Sequence, residues 1–162
     1  MAFIGIITSN KNEDLLKRAV IESLKNSEIK HNVIVINEEN IDNMKNIKFN
    51  SIIMNRENNI KENRKIVLKQ ILKNAQYLII NSDIYTKLDL VANINIAVIT
   101  FGYNLKATVT ASSVNEEKIL LCIQRSIKLD NKTNIEPKEM YVDIIEKDVY
   151  ITMARSIIDI LY

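Results

Sequence analysis

Several residue types are nearly absent from this sequence, and their scarcity argues against whole classes of site. The single cysteine, Cys122, excludes an internal disulfide framework, and the single histidine, His31, argues against a closed zinc site within one chain. A serine, histidine and acid triad could use only His31. Only two glycines and one proline occur in 162 residues. We therefore expect no metal site, and no set of residues stands out as catalytic.

Charge and hydropathy indicate an ordinary globular chain. Lysine and arginine number 22 against 20 acidic residues, and the net charge of +2 is too small to indicate a nucleic-acid groove. The apolar runs are too short and too interrupted to cross a membrane. The first residues enter a strand pattern at Phe3 without the features of a signal peptide. We expect a cytoplasmic protein that contacts neither nucleic acid nor membrane.

Apolar runs alternate with amphipathic segments along most of the chain. Predicted strands lie at 3–8, 33–36, 49–54, 77–80, 96–101, 106–112 and 139–145. Predicted helices lie at 13–24, 61–75 and 149–161, and the period of 116–127 leaves helix and strand open. Buried strands joined through helices are typical of a parallel sheet that is covered on both faces.

This pattern predicts the fold class. We expect an α/β domain with three layers: a Rossmann-like, mostly parallel sheet with helices on both faces. The late strands follow short turns and predict an antiparallel extension near the C-terminus. Residues 1–162 show no internal repeat, no low-complexity linker and no sign of a second domain. They are predicted to form one domain.

Five segments, in this order, resemble the central ATP-binding domain of the Mur ligases, which join amino acids to the peptidoglycan precursor. They are FIGIITSNKNED, FNSIIMNREN, AQYLIINSDIY, NINIAVITFGYNLKATVTASSV and DVYITMARSIIDIL. The first is similar to that family's opening strand and phosphate loop, and the third to its strand ending in Asn-x-Asp. The resemblance covers most of the chain and implies a context of cell-wall metabolism.

The resemblance fails at the phosphate loop. Such a loop uses glycines to turn successive N–H groups toward phosphate oxygens, and a lysine reaches the β and γ phosphates. Residues 8–14 contain no glycine, and Glu13 and Asp14 place negative charge at the start of the helix. Asn12 is expected to cap this helix. The family's magnesium-binding side chains have no counterpart here, and we expect no cofactor.

Five residues are candidates for ligand binding: Ser9, Asn10, Lys11, Asn81 and Asp83. The first three occupy the place of the phosphate loop. Asn81 and Asp83 follow a predicted strand, at the edge where α/β sheets bind ligands. Each has a plainer interpretation, because Asn and Asp commonly form turns after strands and Lys11 suits a solvated surface position.

These observations favour a non-catalytic binding or interaction protein with a degenerate Mur ligase central-domain fold. Its expected partner is another protein or a second copy of the chain. The alternative is an enzyme, either an ATP-dependent ligase-like protein or a small-molecule transferase, with a divergent pocket around Ser9, Asn10, Asn81 and Asp83. A third reading is a self-associating protein whose last helix forms the dimer contact.

Overall fold

The computed structural model describes residues 1–9, 11–55, 61–85 and 89–162. The parallel part of its main sheet contains β1 (Ala2–Thr8), β2 (His31–Val35), β3 (Ser51–Asn55), β4 (Tyr77–Asn81) and β5 (Ala97–Phe101). The later strands are β6 (Val109–Val114), β7 (Lys118–Ile123), β8 (Ile127–Lys128), β9 (Asn134–Ile135) and β10 (Lys138–Asp143). The helices are α1 (Glu13–Ser23), α2 (Glu62–Lys73) and α3 (Val149–Leu161).

Eight strands form one sheet in the order β10-β7-β6-β5-β4-β3-β1-β2. The strands from β2 to β5 are parallel, and β6 continues in parallel with β5 through a single residue pair, Phe101 with Val109. The pairs β6·β7 and β7·β10 are antiparallel. The predicted α/β class, its mostly parallel sheet and the antiparallel extension are confirmed.

Helices cover the sheet from both sides and produce three layers. Neighbouring residues of a strand point to opposite faces. Ile53 of β3 packs in one core with α1 and α3, whereas Ile52 packs in a second core with α2. Five apolar residues of α3 are fully buried against the sheet and α1: Ile151, Met153, Ala154, Ile157 and Ile158. This packing places the apolar face of the last helix inside the chain.

The ambiguous segment 116–127 contains strand β7, not a helix. Ile119, Leu121 and Ile123 face the core that contains α3, while Leu120 and Cys122 lie on the other face. A strand with apolar residues on both faces has no visible period, which explains the ambiguity. The small two-stranded sheet of β8 and β9 was not predicted, because two-residue strands carry no periodic signal.

Most predicted boundaries lie within a few residues of the observed ones, and two local predictions differ in a way that matters. The strand predicted at 106–112 begins only at Val109, because residues 102–108 form the connection from β5. Asn12 stands at the cap position of α1 as expected, but its side chain makes no capping hydrogen bond. In the described ranges, no helix combines the length and apolar character needed to cross a membrane.

Candidate functional site

The strand order places a topological switch point between β1 and β3, because the chain turns from β1 toward β2 on one side and then resumes at β3 on the other. Ligands of open α/β sheets bind outside the carboxyl ends of the strands at such a point. We call the edge at which β1, β3, β4 and β5 end the carboxyl edge. It contains the loops that carry the predicted site residues.

Three buried side chains connect the strand ends at the carboxyl edge. The hydroxyl of Thr8 donates to the carbonyl oxygen of Asn55 at 3.0 Å. The side-chain amide of Asn81 donates to Oδ1 of Asn55 at 2.8 Å. Thr8, Asn55 and Asn81 are 4%, 7% and 0% exposed. These polar groups satisfy one another, as buried polar groups must.

Asn81 uses both ends of its side chain within the fold. Its Oδ1 accepts a hydrogen bond from the backbone N–H of Asp83 at 3.0 Å, while its Nδ2 donates to Asn55. A side-chain oxygen that accepts from the N–H two residues later forms an Asx turn. The structure therefore contains the turn that the plainer interpretation of Asn81 expected.

The carboxylate of Asp83 accepts four hydrogen bonds from the chain itself. Oδ2 accepts from the N–H of Tyr103 at 2.6 Å and from the hydroxyl of Tyr150 at 3.1 Å. Oδ1 accepts from the N–H and the side-chain amide of Asn104 at 3.1 and 2.8 Å. A carboxylate offers about four acceptor sites. Those of Asp83 are filled.

Burial and hydrogen bonding act in opposite directions on the pKa of Asp83. Partial burial disfavours the charge and raises the pKa, but the hydrogen bonds from Asn104, Tyr103 and Tyr150 outweigh it. The net effect lowers the pKa below its ordinary value of 3.8. Asp83 is therefore a stable anion at neutral pH and a poor general base.

Tyr150 brings the first turn of α3 to the same carboxylate. Burial, followed by the hydrogen bond to Asp83, raises the pKa of Tyr150 to about 12, so its phenol stays protonated and remains a donor at neutral pH. The ring of Tyr103 packs edge-on against that of Tyr150, with centroids 5.6 Å apart. Neither tyrosine was a sequence candidate, because Tyr150 lies 67 residues from Asp83.

Gly102 lets the loop after β5 approach Asp83. Its φ is +152°, a conformation that side chains with a Cβ rarely adopt. A Cβ built there would lie 2.7 Å from Cγ and from both carboxylate oxygens of Asp83. Glycine is therefore favoured at position 102 for two reasons: the backbone conformation is unfavourable for other residues, and there is no space for a Cβ beside Asp83.

The loop after β1 lies apart from this network. The carbonyl oxygen of Ser9 accepts from the N–H of Asn12 at 3.0 Å, which closes a tight turn before α1. Lys11 is exposed, and no hydrogen bond or ion pair among the described residues joins Ser9 or Lys11 to Asn81 or Asp83. Asn10, the remaining candidate, lies outside the described residues.

The structure thus brings two of the predicted site residues, Asn81 and Asp83, into one network and adds donors that the sequence did not reveal. Within residues 1–9, 11–55, 61–85 and 89–162, no group of three or more His, Cys, Asp or Glu side chains could hold a metal ion. Comparison of the sequence with protein-family models and with curated proteins finds no match.

Proposed function

We propose that this chain is a non-catalytic binding or interaction protein with a degenerate Mur ligase central-domain fold. The resemblance described above supplies the family and its cell-wall context. The single observation that carries the proposal is the state of Asp83. Its carboxylate lies at the carboxyl edge, and its four acceptor sites are occupied by donors of the same chain.

A catalytic or metal-binding carboxylate needs a free acceptor site for a substrate proton or a cation. Asp83 could offer one only by giving up a hydrogen bond that holds the loop after β5. Asn81 is fully buried, and both ends of its side chain already make hydrogen bonds within the chain. Both residues therefore support a structural role in shaping the carboxyl edge.

The residues at the start of α1 also argue against triphosphate binding. Glu13 and Asp14 occupy its first turn, where negative charge meets the positive end of the helix dipole. A phosphate would meet repulsion from these two carboxylates. No glycine is present between Thr8 and Asp14 to let the backbone wrap around it.

The loop held by Asp83 is the surface that supports an interaction role. Leu105 is 87% exposed and Tyr103 is 46% exposed. The hydrogen bonds to Asp83 fix the backbone on which both stand. Apolar side chains on a preorganised loop bind a partner without a large ordering cost. We refer to residues 102–107 as the Gly102 loop.

The experiment that tests the proposal is isothermal calorimetry with Mg-ATP on three proteins: wild type, Lys11→Ala and Lys30→Ala. Lys30 is the matched control because it is an exposed lysine just before β2, at the other end of the sheet. We expect no binding to the loop after β1 and no turnover in an ATPase assay with candidate acceptors. Micromolar binding that is lost in Lys11→Ala but kept in Lys30→Ala would overturn the proposal.

Self-association is the interaction to examine first, since it needs no second protein. Sedimentation velocity of wild type and Leu105→Ser at high concentration measures it directly. If the Gly102 loop contacts a second copy, the wild-type dimer should dissociate in Leu105→Ser. If wild type is a monomer at all concentrations, self-association is excluded and the partner is a different protein.

A further inference from the structure

A polar cleft lies at the amino edge of the sheet, opposite the carboxyl edge. It has a volume of about 640 Å³, within the range of small-molecule sites. The segment before β3, the connection from α2 to β4 and the turn between β8 and β9 form its walls. Its lining residues are Asn46, Lys48, Lys73, Asn74, Ala75, Gln76 and Asp130.

The charged side chains of this cleft have no ion-pair partner in the described part of the chain. Lys48, Lys73 and Asp130 all line the cleft, and none of them takes part in a salt bridge there. Two lysines of the same chain segments, Lys45 and Lys65, differ, since each contacts a carboxylate three residues away. The cleft therefore holds two ammonium groups that make no direct ion pair with a described carboxylate.

Side-chain amides complete the lining. Asn46 and Asn74 make no side-chain hydrogen bond among the described residues, and each amide offers two N–H donors. Two ammonium groups and one carboxylate give the cleft a net charge of +1. The donors in the wall outnumber the acceptors, which suits an anion better than a cation.

We propose that this cleft binds a small dianion, either a dicarboxylate or a phosphate group. Lys48 and Lys73 would each meet one negative charge, and the amides of Asn46 and Asn74 would donate to the remaining oxygens. Asp130 opposes this binding by repulsion and limits how much negative charge the cleft accepts. The inference is independent of the proposed function, because the two sites lie at opposite edges of the sheet.

The test uses succinate and inorganic phosphate as probes, added to the full chain at low ionic strength and followed by amide chemical shifts. The cleft is open to solvent, so we expect a Kd on the order of 1 mM. Lys48→Gln and Lys73→Gln should each weaken binding about threefold to fivefold, as for exposed charge pairs. Asp130→Asn should strengthen it by a similar factor.

Lys69→Gln is the matched control, because Lys69 is an exposed lysine on the same helix as Lys73, one turn away and outside the lining. It should leave the Kd unchanged. A preference for succinate assigns a dicarboxylate, and a preference for phosphate assigns a phosphate group. Absence of shifts at the cleft with both probes, or equal weakening by Lys69→Gln and Lys73→Gln, would overturn the inference.

Discussion

Gly102 lies against the carboxylate of Asp83, so closely that a Cβ on Gly102 would stand 2.7 Å from both of its oxygens. The contact joins the turn after β4 to the loop after β5. It explains how a short connection can carry the chain from the parallel strands into the antiparallel extension. Donors from residues 103, 104 and 150 converge on the same carboxylate, so this one contact organises much of the carboxyl edge.

Gly102→Ala should lower the free energy of unfolding. The unusual backbone conformation alone costs a residue with a Cβ about 1–3 kcal/mol, and the contact with Asp83 adds to it. Urea denaturation measures the change. In an Asp83→Ala background the steric part disappears, so the cost of Gly102→Ala should fall by at least about 0.5 kcal/mol. Strict additivity of the two substitutions would contradict this account of the contact.

Asp83 should make the stability of the protein depend on pH in acid. Its pKa is lower in the folded state than the ordinary value of 3.8, so its ionised form stabilises the fold. The contribution is complete above pH 3.8 and is lost as the pH falls through the lower folded pKa. The stability difference between wild type and Asp83→Asn should therefore shrink below pH 3.8.

Chemical denaturation between pH 2.5 and 7 measures this difference. Asp89→Asn is the control, because Asp89 is exposed and its carboxylate makes no hydrogen bond or ion pair in the described ranges. A gap between wild type and Asp83→Asn that stays constant down to the lowest pH would show that the carboxylate charge does not stabilise the loop.

Tyr150→Phe should destabilise the protein by about 1–2 kcal/mol, because it removes one donor from a partly buried carboxylate. The matched variant is Tyr103→Phe. Its hydroxyl makes no hydrogen bond among the described residues, whereas its ring packs edge-on against Tyr150, and that packing survives the change. Thermal unfolding should separate the two variants. Equal effects would mean that ring packing, not the hydrogen bond to Asp83, is what Tyr150 contributes.

Lys147→Gly should stabilise the protein. Lys147 has a φ of 61° in the tight turn closed by the hydrogen bond from the N–H of Asp148 to the carbonyl of Ile145. A left-handed conformation costs a residue with a Cβ about 1–2 kcal/mol, and the greater freedom of glycine in the unfolded chain offsets about 0.5–1 kcal/mol of the relief. A net gain of about 0.5 kcal/mol should appear in the free energy of unfolding.

Lys138→Gly supplies the control for that prediction, since Lys138 is an exposed residue of strand β10 with an ordinary extended backbone. There the substitution should cost about 0.5–1 kcal/mol. If both glycine variants lose stability, the backbone of the turn at 145–148 is not strained in solution.

The secondary structure was predictable where a helical period, or a short apolar run between polar residues, was clear. The helix predicted at 149–161 is observed as Val149–Leu161, and the strand predicted at 77–80 is observed as Tyr77–Asn81. The pattern left helix and strand open at β7, and it wrongly predicted a strand at residues 106–108, whose small and β-branched side chains alternate as in a strand. At residues 106–108 the geometry of the loop overrode the local preference for a strand.

The candidate site was predictable only in part. Asn81 and Asp83 were found because parallel strands end at one edge of the sheet and polar residues follow them. The donors that meet Asp83 could not be found in this way. Asn104 and Tyr150 lie 21 and 67 residues away along the chain. In the sequence, only the glycine and asparagine that follow β5 pointed to these donors, since such residues are typical of a loop with hydrogen bonds from side chain to backbone.

The sequence by itself determined the α/β class, the mostly parallel sheet and the glycine-free loop before α1, because each depends on residues within a few positions of one another. Only the tertiary structure decided that Asp83 is saturated by its own chain and that Lys48, Lys73 and Asp130 share a cleft. Those relationships depend on strand order and on which loops meet at each edge of the sheet. Such contacts join residues that local periodicity cannot relate.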